Sequence, residues 1–146
     1  MAQDETPAPV CTDLTDEDLK TAWRWIHDTS YWAKGIPWDV FSRACRNSLC
    51  FGVRAEGRLV GFARVVTDEA TFAWLCDVMV GEAMRGQGVG KRLVSAAMSD
   101  PRLSGLRRWG LATADAHGLY QKSGFGPADP ERHMERVDRN AYRRDA

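Results

Sequence analysis

The sequence predicts an α+β domain of mixed α/β order, from three observations. Three consecutive apolar runs with strand character lie between residues 49 and 80; stripes of helical period flank them; one strand–helix–strand crossover follows. Residues 1–12 read as a loose tail with a short strand near Val10. Thr15 precedes Asp16, Glu17 and Asp18, which fits an N-cap followed by acids at the positive end of a helix. Leu19, Trp23 and Ile26 then fall on one face, and a second helix is expected from Asp39 to Arg46. Leu49–Ala55 and Leu59–Val66 form a hairpin through Glu56 and Gly57. Thr71–Val80 is apolar on both alternating faces except at Asp77, the pattern of a strand covered on both sides. A helix is expected over Gly88–Ser99, stopped before Pro101. A strand over Trp109–Thr113, a short helix over Ala116–Lys122 ending at Gly124, and a last strand over Met134–Val137 complete the order. Neither a repeat nor an interdomain linker interrupts residues 1–146, so one domain is expected, with a polar tail over 138–146.

Composition narrows the function. Twenty basic and 20 acidic side chains cancel, so no net field draws the chain to nucleic acid or an anionic membrane. Residues Glu131–Ala146 hold five arginines but also four acids, which reads as a solvated surface. No apolar run approaches the ~20 residues of a membrane helix, and Met1–Val10 has neither the basic start nor the hydrophobic run of a secretory signal. Cys11, Cys45, Cys50 and Cys76 lack CxxC spacing, and His27, His117 and His133 lie far apart, so reduced cytoplasmic thiols and no metal are expected.

The informative segment follows the third strand. Gly81-Glu82-Ala83-Met84-Arg85-Gly86-Gln87-Gly88-Val89-Gly90-Lys91 places three glycines within five residues, between a strand and an amphipathic helix. Glycines permit close backbone approach, and a helix start offers unpaired N–H groups and partial positive charge. Together they suit a pyrophosphate, with Arg85 and Lys91 as supplementary charges. A P-loop needs GxxxxGK and then Ser or Thr, but Arg92 follows Lys91; the dinucleotide fingerprint GxGxxG is also not met by GxGxG.

The spacing Arg85-x-x-Gly88-x-Gly90 resembles the acetyl-CoA-binding motif of the GNAT acetyltransferase superfamily, and Asp77-Val78-Met79-Val80 resembles its fourth strand. Downstream, Leu119-Tyr120-Gln121-Lys122-Ser123-Gly124-Phe125 is similar to the family's L-Y-x-x-x-G-F signature, with Ala116 at the usual alanine position. The likeness covers about Leu49–Phe125. It implies a GNAT-like fold: a central, mostly antiparallel twisted sheet with a splayed strand pair, flanked by helices on both faces. It also implies acetyl-CoA bound by Arg85, Gly86, Gln87, Gly88, Val89, Gly90 and Lys91, and by the backbone of Val78, Met79 and Val80. Val78 or Met79 would donate an N–H to the acetyl carbonyl. Thr113 stands where the family often has an asparagine that touches pantetheine or substrate.

By the same resemblance Tyr120 is the general acid for the leaving thiolate; the alternative is a packing tyrosine. For the proton acceptor Asp77 is the first choice, against a purely structural aspartate. Asp68 and Glu69, in the turn before the strand, come second, and His117 third. Cys76 would offer a covalent route, but no histidine lies near it in sequence. The acceptor pocket falls to Trp23, Trp25, Trp32, Trp38 and Phe72, whose aromatic walls suit a cationic or aromatic amine, with Trp74 and Trp109 left to the core. The expected activity is acetyl transfer from acetyl-CoA to a primary amine by direct attack. A small-molecule acceptor comes first and a protein lysine or N-terminus second; a non-catalytic acyl-CoA-binding module is the rival. The resemblance also makes a homodimer an expectation.

Overall fold

A computed structural model describes residues 8–143. Of the two expected tails, residues 1–7 and 144–146 lie outside the described residues. The elements in chain order are β1 (Val10–Cys11), α1 (Asp16–Thr29), α2 (Trp38–Arg46), β2 (Leu49–Ala55), β3 (Arg58–Thr67), β4 (Phe72–Val80), α3 (Val89–Ser99), β5 (Arg108–Gly110) and α4 (His117–Gln121). Short 3-10 turns at Glu82–Met84 and Pro101–Leu103 flank α3. The five strands form one sheet in sequence order, antiparallel from β1 to β4 and parallel between β4 and β5.

Helix α1 starts where its capping residues dictate. The N–H of Asp18 donates to Thr15 Oγ1 at 3.1 Å and the N–H of Thr15 donates to Asp18 Oδ2 at 3.0 Å, a closed capping box. The same carboxylate takes Arg54 Nη2 at 2.7 Å, tying α1 to β2.

Each sheet face carries its own apolar cluster. Phe51, Val53, Ala63, Val65, Ala73 and Leu75 meet Val89, Leu93, Val94 and Ala97 of α3. On the opposite face Leu59 and Phe62 meet Ala22 and Ile26 of α1 and Phe41 and Cys45 of α2. Helices therefore cover both faces of the sheet.

Two expectations do not hold. Residues Met134–Val137 form no strand: Met134 is 94% exposed and Val137 is 55% exposed, with no neighbouring strand to pair them. Strand β5 is also shorter than Trp109–Thr113, because the chain turns away from the sheet after Gly110.

Candidate active site

Strand β4 pairs with β5 only at Phe72↔Arg108, Ala73↔Trp109 and Trp74↔Gly110. It then continues to Val80 without a strand on that side, so the two parallel strands part and leave a split. On the other side β4 stays paired with β3, and the pairing slips: Arg64 faces Cys76 while Phe62 faces Met79. Two residues of β4 therefore oppose Ala63, which is a β-bulge. At the bulge Asp77 has φ +54°, a left-handed backbone that costs a residue with a Cβ roughly 1–2 kcal/mol and that aspartate tolerates better than most. The extra residue keeps the apolar alternation on either side of it. Leu75 and Val78 both pack on the α3 face, while the Asp77 side chain turns to the α1–α2 face.

The alternation beyond the bulge fixes where the backbone points. The N–H of Gly81 donates to Val60 O at 2.8 Å. Counting back, Met79 also directs its N–H and C=O toward β3, whereas Val80 and Val78 direct theirs into the split. Of the two donors expected for an acyl oxygen, the fold thus favours Val78. The Val80 carbonyl accepts Arg85 Nε at 3.3 Å.

The glycine turn follows directly. Gly86 has φ +81° and Gly88, the N-cap of α3, has φ +79°. A Cβ at either would meet nothing within 4 Å, so both glycines border open space. The first helical bond closes from Arg92 N to Gly88 O at 3.0 Å. Among the described residues, none of the hydrogen bonds uses the N–H groups of residues 86–91. Open amides at a helix start are the kind of group that can bind a multiply charged anion. Arg85 and Lys91 sit beside them, and the Gln87 amide turns back to Ala83 O.

A sequence model of the acetyltransferase (GNAT) family matches residues 14–125. The chain belongs to the GNAT family. It is similar to a Xanthomonas campestris GNAT-family protein of known structure, with 47% identity over 91% of this chain and 94% of that one, at a TM-score of 0.87. A Staphylococcus aureus structure and an Arabidopsis thaliana glucosamine-6-phosphate N-acetyltransferase share 19% and 16% identity at TM-scores of 0.74 and 0.63. They cover 90% and 88% of this chain, and 98% and 96% of their own, and they show the shared fold alone. A Gibberella zeae protein that carries an acetyltransferase name is 30% identical over 117 residues. The match spans 66% of this chain and 65% of that relative.

Within this GNAT chain Tyr120 lies half-buried in α4, packed on the α3-side cluster and edge-on to Phe125 at 6.1 Å between ring centroids. Burial pushes its phenol above the ordinary value, and nearby Tyr31 and Asp115 push the same way. The phenol is thus protonated at neutral pH, as a proton donor must be.

The acids behave differently from a free proton acceptor. Asp77 is 8% exposed, with Oδ1 taking Trp32 Nε1 at 2.8 Å and Oδ2 taking Arg64 Nε at 2.8 Å. Both carboxylate oxygens therefore already hold a donor. Asp68 closes the β3–β4 turn, accepting from the N–H groups of Ala70, Thr71 and Phe72 and from the Thr71 hydroxyl. The Thr71 hydroxyl and these amides hold its carboxyl well below the usual carboxylate range, so it is a poor proton acceptor. It also sits at the start of β4, whereas the bulge is near the end, so the turn carboxylates Asp68 and Glu69 do not join the site. His117 is exposed on the first turn of α4. Burial pushes the Cys76 thiol up to about 12, with Arg64 opposing, so a thiolate nucleophile is disfavoured there.

The tryptophans separate by position. Trp23 donates to Ile36 O at 2.7 Å and packs against Trp38, while Trp38 leans on Phe41. Those two build the α1–α2 core. The Trp25 ring lies beside Gly81, 3.4 Å from where a Cβ there would sit, and Phe72 lies at the end of β4 away from the bulge, near Gly110. Only Trp32 reaches the bulge with a polar contact. Tyr31 was not legible in the sequence: its hydroxyl accepts the N–H of Ala114 at 2.8 Å, joining the α1–α2 loop to the segment after β5. Thr113, in the asparagine position, uses its hydroxyl to accept the N–H of Ala116 at 3.0 Å and so begins α4.

Among the described residues no helix is long and apolar enough to cross a membrane.

Proposed function

We propose that this protein is an N-acetyltransferase that moves the acetyl group of acetyl-CoA to a primary amine of a small molecule by direct attack. The observation that carries the proposal is the run of unengaged amides at residues 86–91, at the mouth of a split whose wall is the outward backbone of Val78 and Val80. A pyrophosphate fits these amides, which have no partner among the described residues' hydrogen bonds, and a chain bearing amide groups fits the split, where no strand lies beside Val78 and Val80. Acetyl-CoA supplies the activated acyl group as a thioester.

The residues then divide the work. Gly86, Gly88 and Gly90 let the backbone approach the diphosphate, with Arg85 and Lys91 adding charge. Val78 presents its N–H to the acyl oxygen as negative charge develops there. Tyr120, protonated through neutral pH, gives its proton to the departing sulfur. The exposed rings of Tyr31 and Trp32 border the bulge on the α1–α2 side and offer an aromatic wall to the amine. The amine proton passes to water in the open split, since the Asp77 carboxylate is turned to Trp32 and Arg64 on the α1–α2 face. A small acceptor suits a site bordered by one short loop, and a cytoplasmic setting suits the four free thiols.

The deciding experiment is calorimetric titration with CoA, followed by release of free thiol from acetyl-CoA against a panel of amines and lysine peptides. Micromolar CoA binding with amine-dependent thiol release supports the reading. CoA binding without release from any acceptor leaves a binding module, and no CoA binding removes the reading altogether.

A further inference from the structure

The bulge in β4 is held by side chains that come from three different elements. Asp77 sits at its crest in the left-handed region, a conformation that the strand does not impose. Its carboxylate is gripped from β3 by Arg64, whose Nη1 also donates to Ser48 Oγ at 3.0 Å, and that hydroxyl donates to Ala44 O at 2.7 Å at the end of α2. From the other side comes Trp32 Nε1. Trp32 stands on a loop that is itself well braced. Ser30 Oγ donates to Ile26 O and accepts from Ala33 N, Gly35 N donates to His27 O, and Ile36 N donates to Ala33 O. The indole N–H is therefore a fixed prop rather than a mobile surface group, although the ring is 42% exposed.

We propose that Asp77 is a positioning residue and that Trp32 and Arg64 clamp it, so that the left-handed bulge holds the Val78 N–H aimed into the split and ties that donor to the loop bordering the acceptor. This rests on the acetyltransferase reading for its catalytic meaning but not for its geometry. The residue next in the chain to Asp77 is the donor, so any rotation of the Asp77 backbone tilts the Val78 peptide directly. A bulge residue released from the left-handed region by loss of its anchors relaxes toward extended φ and swings that N–H. The clamp also ties the acceptor loop to the reacting centre: the Trp32 N–H bonds the residue next in the chain to the Val78 donor. The carboxylate faces Arg64 and Trp32 rather than the split, an arrangement suited to fixing a geometry.

The test uses the full chain and two substitutions. Trp32→Phe keeps an aromatic ring at this exposed position but removes the indole N–H together with the pyrrole part of the ring, and its fold is checked by circular dichroism and melting. In 15N-labelled protein the Val78 and Met79 amide resonances should shift while those of Gly86, Gly88 and Gly90 stay in place. With the amine found in the panel, kcat should fall on the order of tenfold, short of the roughly hundredfold or more for complete loss of an oxyanion donor, and CoA affinity should hold within about twofold. Asp77→Asn tests the competing role of proton acceptor. A positioning residue keeps both limbs of the kcat–pH profile, whereas a base loses the acidic limb. Unmoved Val78 and Met79 resonances in Trp32→Phe overturn the proposal, as does loss of the acidic limb in Asp77→Asn. If the wild-type protein releases no thiol, the transferase reading fails and the amide resonances still decide the clamp. If Asp77→Asn does not fold, Trp32→Phe decides alone.

Discussion

Replacing Gly88 separates backbone strain from ligand exclusion. Gly88 has φ +79° and a Cβ there would meet nothing within 4 Å, so alanine and tryptophan suffer the same backbone penalty and no clash with the protein at Cβ. That penalty is about 1–2 kcal/mol, which lowers the melting temperature by about 3–6 °C for a domain of this size. CoA affinity should respond differently. Alanine disturbs the amides around one position, and a hydrogen bond to a charged group is worth about 1.5–3 kcal/mol, or roughly tenfold to a hundredfold in affinity. Tryptophan adds an indole to the open side of the turn and should abolish binding. Gly105 provides the control. It has φ +78° and equally open surroundings but lies beyond the far end of α3. Gly105→Ala should melt early by a similar margin and bind CoA like the wild type. Calorimetry with CoA and thermal melts on the three variants suffice. Full CoA affinity in Gly88→Trp, or equal weakening by Gly105→Ala, would refute the assignment of this turn.

Three further outcomes follow. Tyr120→Phe should lower kcat by roughly a hundredfold with CoA affinity within about twofold; equal losses in both would mean that the ring only packs. Burial and its neighbours hold the Tyr120 phenol above its ordinary value of 10.0, so the wild-type rate should fall only as pH rises beyond that value, and this limb should be absent from the phenylalanine variant. Gly61→Ala would put a Cβ 2.5 Å from Val89 Cγ1 and 3.1 Å from Leu93 Cδ1. It should cost about 1–3 kcal/mol and weaken CoA binding by displacing the start of α3; denaturant melts and calorimetry read both, and an unchanged midpoint contradicts the packing. Asp68 ionises below its ordinary 3.8 because the Thr71 hydroxyl and three amides favour the charged form. Its contribution to stability is complete above about pH 4 and lost as pH falls below that. Denaturant melts across acidic pH should show a shallower loss in Asp68→Asn, and an identical slope would exclude that role.

Where the sequence was legible, several local signals agreed. Leu49–Ala55 is the strand that the structure shows, and the Glu56–Gly57 turn, the Thr15 cap and the Gly88 helix start all fall where their chemistry puts them. Asp77 was visible as the one acid in an apolar strand, but not its conformation. Strand reading assumes strict alternation, and a bulge breaks that assumption by one residue. Its partners come from 13 and 45 residues away, distances at which sequence pattern is silent. Tyr31 was missed for a similar reason: it lies in a loop without periodicity and its contact is 83 residues distant. Met134–Val137 failed the other way. Two apolar residues around charges suggest a strand, but a strand exists only where another edge accepts it.

The split that defines the site can be traced to the end of β5. Trp74 and Gly110 are register partners, and a Cβ on residue 110 would lie 2.9 Å from Trp74 Cε3, so the indole occupies the space a side chain would need. Beyond that pair the Thr113 hydroxyl captures Ala116 N and Tyr31 captures Ala114 N, turning the chain toward α4 instead of along β4. Pairing of β4 must therefore stop, and the outward groups of Val78 and Val80 are left to another partner. The Arg85 contact on Val80 does not close that position, because a carbonyl has two lone pairs and one donor uses one of them. An incoming amide can still bond to Val80 while Arg85 remains, which brings a guanidinium to the mouth of the split beside the amides of residues 86–91. The glycine turn and the parted strands thus form one continuous surface, on which the proposed diphosphate and acyl positions adjoin, and the break in the sheet is what joins them.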